Sequence, residues 1–262
     1  FISYAQPLLD GSLPDGSRVQ ATFSGGVSIK GPNFTIRRFK TVPFSPMELA
    51  HFNTVDIKML AYFWEAIENG MSILVSGGTA TGKTSFLNAI SLFIPMTLKI
   101  VSIEDTPEIN IPHKNWVQSV SRAGYGAQKY GEVSMFDLLK ASFRQRPDYI
   151  ILGEVRGQEA YVLFQSMASG HPGLGTIHAE SVDAIVERLL SPPINLSPAL
   201  LELLDMAVII IFAGKYGPNA RRVKEIVEIQ KVTPDGNART NTSFRWLPVD
   251  DTFEYTGRSH VV

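Results

Sequence analysis

An eight-residue segment, GGTATGKT at positions 77–84, constrains this chain more than any other stretch. It fits the phosphate-loop pattern, in which glycines let backbone N–H groups turn inward around phosphate oxygens. The apolar run MSILV precedes it and the helical pattern SFLNAISLF follows it. A strand, a glycine-rich loop and a helix in this order predict a polyphosphate site rather than a glycine-rich turn that carries a lysine by chance.

The loop predicts specific contacts to ATP and Mg²⁺. Lys83 can reach the β- and γ-phosphates, and the Thr84 hydroxyl can bind Mg²⁺. The helix that begins near Lys83 points its positive end at the anion. The expected nucleotide-binding residues of the loop are Gly77, Gly78, Thr79, Ala80, Thr81, Gly82, Lys83, Thr84 and Ser85.

Apolar strands alternate with helical patterns from residue 71 to about residue 213, which predicts an α/β fold with a buried, mostly parallel sheet. Residues 1–42 alternate apolar and polar positions and predict part of a small β-rich domain. We expect a proline-punctuated linker or hinge at 43–56, in which Ser45 caps a helix, and an ATPase domain over 57–262. The pattern after Gly214 predicts a hairpin-like β appendage.

Composition limits the possible classes of protein. The net charge of −1 argues against a generally basic surface for nucleic acid. The absence of cysteine excludes disulfides and cysteine-bound zinc and suits a reducing cytoplasm. No apolar run approaches the roughly 20 residues that a membrane helix needs. The first residues resemble the middle of a domain, so we expect a longer parent protein.

Carboxylates follow two of the predicted strands. Glu154 follows the apolar run YIILG, where a phosphate-loop enzyme places a group near Mg²⁺ or the attacking water. Glu104, Asp105 and Glu108 follow the run KIVSI and would repel one another without a cation or donors nearby. A helix cap for Glu154 and a solvated turn for the second group are the alternatives.

Two histidines lie in the glycine-rich segment SGHPGLGTIHA. Because no third ligand accompanies His171 and His178, a metal site is disfavoured. A histidine that senses the γ-phosphate and an ordinary structural histidine both stay open at this point.

The segments GGTATGKT, IEDTPEI, RQRPDYIILGEVRG and SGHPGLGTIHA, in this order, resemble the Walker A, Asp box, Walker B and His box of the type II and type IV secretion ATPases. The resemblance covers nearly the whole chain and implies a RecA-like core. IPHKNWV and LSPPINLSPALLELLDM look most like the archaeal branch, which includes archaellum and pilus motors. The missing cysteines disfavour the bacterial assembly subgroup, whose members carry a four-cysteine zinc module.

The resemblance implies roles for individual residues. Lys83 and Thr84 match the phosphate and magnesium ligands, and Glu154 matches the Walker B glutamate, a second magnesium ligand. Glu108 matches the glutamate that polarises water, and His178 matches the γ-phosphate sensor. Glu104 and His171 are further expected nucleotide contacts. A neighbouring subunit is expected to supply an arginine, and the candidates are Arg144, then Arg37, with Arg18, Arg38, Arg122 and Arg156 behind them.

The resemblance implies a cytoplasmic homo-hexamer at the inner face of a membrane. It would hydrolyse ATP to ADP and drive a membrane-embedded platform protein that extrudes pilin-like subunits. Two alternatives stay open. A RecA-like nucleic-acid translocase could use the loop at 121–132, although nucleic acid is an unlikely partner at this net charge. A non-catalytic nucleotide-binding scaffold would have no need for both acidic groups.

Overall fold

A computed structural model describes residues 2–24, 26–38, 42–122, 124, 130–233 and 235–260. The chain divides into two compact units. The smaller unit comprises Phe1–Val42 with Thr106–Glu108, and the larger comprises Pro43–Asp105 with Ile109–Val262.

The smaller unit is built on a three-stranded antiparallel sheet. Its strands are β1 (Leu8–Ser12), β2 (Arg18–Thr22) and β3 (Asn33–Arg37), in the order β1-β2-β3. Arg18 and Asp10 form an ion pair of 2.6 Å across β1 and β2. The predicted β-rich N-terminal region is therefore confirmed.

The larger unit alternates helices and strands along most of its length. Its elements are α1 (Pro46–His51), α2 (Ile57–Glu68), β4 (Ile73–Gly77), α3 (Lys83–Ser91), β5 (Ile100–Glu104), β6 (Trp116–Val120), α4 (Met135–Ser142), β7 (Tyr149–Val155), α5 (Glu159–Ala168), β8 (Gly173–Ile177), α6 (Val182–Leu190), α7 (Pro198–Leu201), β9 (Met206–Phe212), β10 (Arg221–Val232), β11 (Ala238–Leu247) and β12 (Thr252–Tyr255).

The strands of the larger unit form one sheet in the order β12-β11-β10-β9-β4-β8-β7-β5-β6. The strands from β9 to β6 in this order are parallel, and β10, β11 and β12 are antiparallel additions. Parallel neighbours need crossover connections, and helices provide most of them here. The predicted α/β class with a mostly parallel sheet is confirmed.

Hydrophobic clusters cover both faces of this sheet. Phe63 of α2 and Phe86 of α3 belong to the cluster on one face, and Leu139 of α4 and Phe164 of α5 belong to the other. Alternate residues of β7 enter the two clusters in turn. Burial on both faces explains why the central strands read as unbroken apolar runs in the sequence.

The C-terminal strands form the expected hairpin-like appendage, because β10 pairs antiparallel with β11. This hairpin also extends the central sheet, since β10 pairs antiparallel with β9, with Arg221 opposite Phe212. The alternation of RRVKEIVEIQKV predicts a strand but does not reveal its neighbour. β6, α6, α7 and β12 were not predicted from the sequence.

The segment 43–56 contains a helix, α1. Ser45 caps it, as predicted, and Glu48 completes a capping box by accepting from the Ser45 backbone. The hinge function expected of this segment stays a prediction.

Candidate active site

The phosphate loop begins on a glycine for which no other residue has room. Gly77 ends β4 and is paired with Ile210 of β9. A Cβ atom at Gly77 would lie 2.3 Å from the Ile210 carbonyl oxygen and 2.6 Å from Thr81 Oγ1. The first end of the loop is thus packed directly against the neighbouring strand.

The other end of the loop is the start of α3. Gly82 occupies the N-cap position with φ 91°, a left-handed conformation that glycine adopts without strain. No side chain of the described residues caps this helix end, so its first N–H groups suit an anion. Lys83 Nζ donates to the carbonyls of Gly77 at 3.0 Å and Gly78 at 2.7 Å. The cation therefore lies against the loop itself.

The remaining loop residues surround the turn. Thr81 Oγ1 donates to the Gly78 carbonyl at 3.0 Å. Thr79 and Ala80 are exposed, whereas Thr84 and Ser85 are half-buried in the first turn of α3. The loop thus offers exposed backbone at its tip and hydroxyl groups at its base.

His178 contacts the loop with both ring nitrogens. It follows β8, which pairs with β4 in parallel register. His178 Nδ1 lies 3.1 Å from the Gly77 carbonyl oxygen, and Nε2 lies 3.1 Å from Thr79 Oγ1. Because a carbonyl only accepts, Nδ1 carries the proton, and Nε2 of a neutral ring accepts from the Thr79 hydroxyl. Arg188 fixes the backbone here by donating to the His178 carbonyl at 3.0 Å.

Carboxylates and an arginine gather at the ends of β5 and β7. Arg156 Nη2 lies 2.5 Å from Asp105 Oδ2, and Arg156 Nη1 lies 3.9 Å from Glu154 Oε2. The pairing of β5, β7, β8 and β4 brings these strand ends and the phosphate loop to one edge of the sheet. This is the crevice in which open α/β sheets bind ligands.

Glu104 is buried and organises the turn after β5. Its carboxylate accepts from the Ile109 backbone N–H at 2.7 Å and from Gln118 Nε2 at 3.0 Å. Gly153 lies so close that a Cβ there would be 3.1 Å from Glu104 Cγ. Glu104 therefore has a structural role in holding this turn. The expected contact between Glu104 and the nucleotide stays a prediction.

The model of the type II/IV secretion system protein family matches residues 2–232. The chain belongs to this family. An uncharacterized protein of Methanocaldococcus jannaschii is 48% identical over 221 residues, which are 83% of this chain and 80% of that protein. A second, longer uncharacterized protein of that archaeon is 43% identical over 260 residues, which are 99% of this chain and 47% of that protein.

A solved structure shares the fold. The VirB11 ATPase from the Brucella suis type IV secretion system, in complex with sulphate, matches with a TM-score of 0.54 and 24% identity over 86% of this chain and 75% of that one. The expected family and RecA-like fold are thereby confirmed, and the archaeal relatives agree with the expected branch. ATP hydrolysis in secretion, as expected above, is the activity of this secretion family.

Two expected residues lie away from the loop of this secretion-family chain. His171 precedes β8 and Arg144 lies in a 3₁₀ turn that precedes β7, whereas the loop follows β4 at the other ends of these parallel strands. At about 3.3 Å per residue, His171 and His178 are roughly 20 Å apart along the strand. The structure does not bring His171 to its own phosphate loop. Its Nδ1 is buried and has no hydrogen-bond partner among the described residues.

Three of the other predicted arginines have partners within their own unit. Within the smaller unit, Arg37 Nη2 lies 2.8 Å from Glu108 Oε1, and Arg18 pairs with Asp10. Arg38 is exposed. In the larger unit, Arg122 donates to the Gly131 carbonyl at 2.8 Å. Half of the candidate nucleic-acid loop at 121–132, namely residues 123 and 125–129, lies outside the described residues. The catalytic assignments of these residues stay predictions.

The sequence analysis missed two charged residues at the loop. A Cβ at Gly78 would lie 3.4 Å from Glu180 Oε1. Arg221 Nε and Nη2 donate to the Ala80 carbonyl at 3.3 and 3.1 Å. Glu180 lies two residues after His178 and could have been considered with it. Arg221 lies 141 residues from Ala80 in the chain, so no local pattern connects the two.

The donor groups present fit a magnesium nucleotide better than a bare metal ion. Among the described residues no group of three or more His, Cys, Asp or Glu side chains could hold a metal by itself. Mg²⁺ in nucleotide sites is held by one or two protein oxygens together with phosphates and water. The Thr84 hydroxyl and the Glu154 carboxylate would be such oxygens.

Proposed function

We propose that this chain is the ATP-hydrolysing subunit of a homo-hexameric motor that drives secretion or the assembly of a pilin-like filament. The observation that carries the proposal is the joint placement of Lys83, His178 and Glu154 at one edge of the sheet. Binding alone would need the loop, whereas hydrolysis also needs groups that respond to the γ-phosphate and position water.

Lys83 and the first N–H groups of α3 would bind the phosphates. Thr84 and Glu154 would hold Mg²⁺, which supplies charge neutralisation to the phosphate oxygens when bound. Glu108 or Glu154 would orient the attacking water, and these two alternatives stay open. His178 touches the loop at Gly77 and Thr79, so its ring is placed to respond to the occupancy of the loop.

The expected arginine of the neighbouring subunit is Arg144. It is exposed and precedes β7, so it cannot reach the loop of its own chain. If Arg144 acts on a nucleotide, that nucleotide belongs to another copy of the chain, as the proposed shared site requires. Arg37 is the second candidate.

The load would be a membrane-embedded platform protein, with the motor at the inner face of the cell membrane. Support comes from the secretion family and from the resemblance to archaellum and pilus motors. No helix in the described part of the chain combines the length and apolarity that a membrane crossing needs.

The test is steady-state ATP hydrolysis against protein concentration for the wild type, Lys83→Ala and Arg144→Ala. Lys114→Ala and Arg245→Ala are matched controls, since both side chains are exposed and outside the described site. We expect a steep rise with concentration, loss of turnover in both site variants, and partial recovery when the two variants are mixed.

Three outcomes would count against the proposal. Turnover linear in concentration without recovery on mixing would remove the shared site. Nucleotide binding without turnover would favour a scaffold, and stimulation by DNA would favour a translocase.

A further inference from the structure

We propose that Arg221 is a positioning residue that holds the phosphate loop in its anion-binding form by donating hydrogen bonds to the carbonyl group of Ala80. The inference rests on the proposed nucleotide site and adds a residue to it. Arg221 begins β10, which lies beyond β9 on one side of β4, whereas His178 follows β8 on the other side. The loop is thus contacted from both sides of β4.

The guanidinium group is itself held in place from two sides. Its Nη1 donates to the Asn219 carbonyl at 2.8 Å. Its central carbon lies 4.9 Å from the centroid of the Phe212 ring, a distance typical of cation–π contact. The two remaining donor positions, Nε and Nη2, both point at the Ala80 carbonyl. A planar group oriented in this way loses little freedom when it binds the loop.

Ala80 needs such a partner because its backbone is strained. Its φ is 60°, a left-handed conformation that disfavours residues with a Cβ. Strained residues of this kind persist only when surrounding contacts impose them. Two hydrogen bonds from Arg221 are contacts that impose this conformation.

The orientation of the Ala80 carbonyl decides where the next amide points. In a trans peptide the C=O and the following N–H point in opposite directions. When Arg221 draws the Ala80 oxygen outward, the Thr81 N–H turns to the opposite side of the peptide. Arg221 therefore acts on an anion through Thr81 and does not need to touch it.

Packing supports the same conclusion. A Cβ at Gly82 would lie 3.2 Å from Arg221 Cδ. The aliphatic part of Arg221 therefore lies against the last glycine of the loop, while the guanidinium binds the tip. One side chain spans the second half of the loop.

The experiment measures the Kd of a fluorescent ADP analogue with Mg²⁺ for the 262-residue chain, together with the melting temperature of each variant. The variants are Arg221→Ala, Arg221→Lys, Ala80→Gly and the double variant Arg221→Ala with Ala80→Gly. Arg245→Ala, an exposed arginine of β11, is the matched control. Glycine at position 80 adopts the same φ without strain.

We expect Arg221→Ala to weaken nucleotide binding about tenfold, the effect of releasing one strained residue. Lysine should recover part of the loss because it keeps a donor but lacks the fork. The double variant should bind within about threefold of Ala80→Gly alone, because glycine at position 80 does not need the hydrogen bonds from Arg221 to adopt this conformation. The control should bind like the wild type.

Two results would overturn the inference. Unchanged affinity in Arg221→Ala would show that the loop holds its shape unaided. A tenfold loss that Ala80→Gly does not relieve would show that the guanidinium acts on the nucleotide directly. Failure of the wild-type chain to bind nucleotide would instead reject the proposed function, so the two failures are distinguishable.

Discussion

Replacing Glu228 by glutamine should destabilise the larger unit and change its response to acid. The carboxylate of Glu228 is buried in β10. One oxygen accepts from Tyr62 at 2.6 Å, Ser243 at 2.7 Å and Ser259 at 2.7 Å. The other accepts from Asn241 and from the backbone N–H of His260, both at 2.9 Å.

The pKa of Glu228 gives the magnitude. Burial alone would raise it, but the hydrogen bonds from Ser243, Ser259, Tyr62 and Asn241 outweigh burial and lower the pKa from 4.5 to about 2. At about 1.36 kcal/mol per pH unit, this contributes about 3 kcal/mol to stability. Because the folded pKa is the lower one, the contribution is complete above about pH 5 and is lost as the pH falls towards 2.

Glutamine keeps one acceptor but turns an NH₂ group towards the other donors. If its oxygen faces the three hydroxyls, its nitrogen faces Asn241 Nδ2 and the His260 N–H. The His260 N–H then loses its acceptor, and Asn241 keeps only its hydrogen bond to the Arg258 carbonyl. A loss of about 3 kcal/mol corresponds to a fall in melting temperature of about 5 °C for a chain of this length.

Thermal unfolding of Glu228→Gln and the wild type at pH 7 and pH 3 tests this reasoning. Glu254→Gln, an exposed glutamate of β12, is the control. We expect the difference between Glu228→Gln and the wild type to be large at pH 7 and to shrink at pH 3. An equal difference at both pH values, or a fall below 1 °C at pH 7, would refute the hydrogen-bonded carboxylate as the source of the stability.

Two further substitutions test the loop. Gly77→Ala should lower the melting temperature and abolish nucleotide binding, because its Cβ would lie 2.3 Å from the Ile210 oxygen. Gly214→Ala, with open space around it, is the control. A Gly77→Ala variant that is stable and binds ADP would contradict the packing argument. His178→Gln should reduce ATP hydrolysis at least about tenfold while nucleotide Kd changes less than about threefold. The exposed His51→Gln is its control, and equal losses in binding and turnover would assign His178 to binding alone.

Contiguous motifs made part of the site predictable. GGTATGKT contains the whole loop. The later motifs contain β7 and β8 and place Glu154 and His178 at the carboxyl ends of these strands. Parallel pairing alone therefore brings both residues to the edge where the loop lies. The sequence alone does not show which of the carboxylates after β5 has a structural role and which faces the site, because this depends on the partner that each one meets in the fold. Glu104 turns into the protein towards Ile109, whereas Asp105 turns towards Arg156.

Long-range neighbours were not predictable. Arg221 reaches Ala80 only because β9 lies between β4 and β10 in the sheet, and alternation in β10 contains no information on sheet order. The partners of Glu228 likewise come from α2, β11 and the C-terminal segment, and only the folded chain brings them together.

The close packing of Gly77 on Ile210 limits how this chain could convert chemistry into movement. One end of the loop is the last residue of β4, which pairs with β9 in the middle of the sheet, and its other end is the first turn of α3. A loop of five residues between two such anchors has too little slack to produce a large displacement by itself. We therefore expect the loop to respond to its occupant rather than to produce the movement, and to pass this response on through the side chains that touch it, His178 towards β8 and Arg221 towards β10. Mutations that uncouple hydrolysis from work should therefore be sought along those two strands.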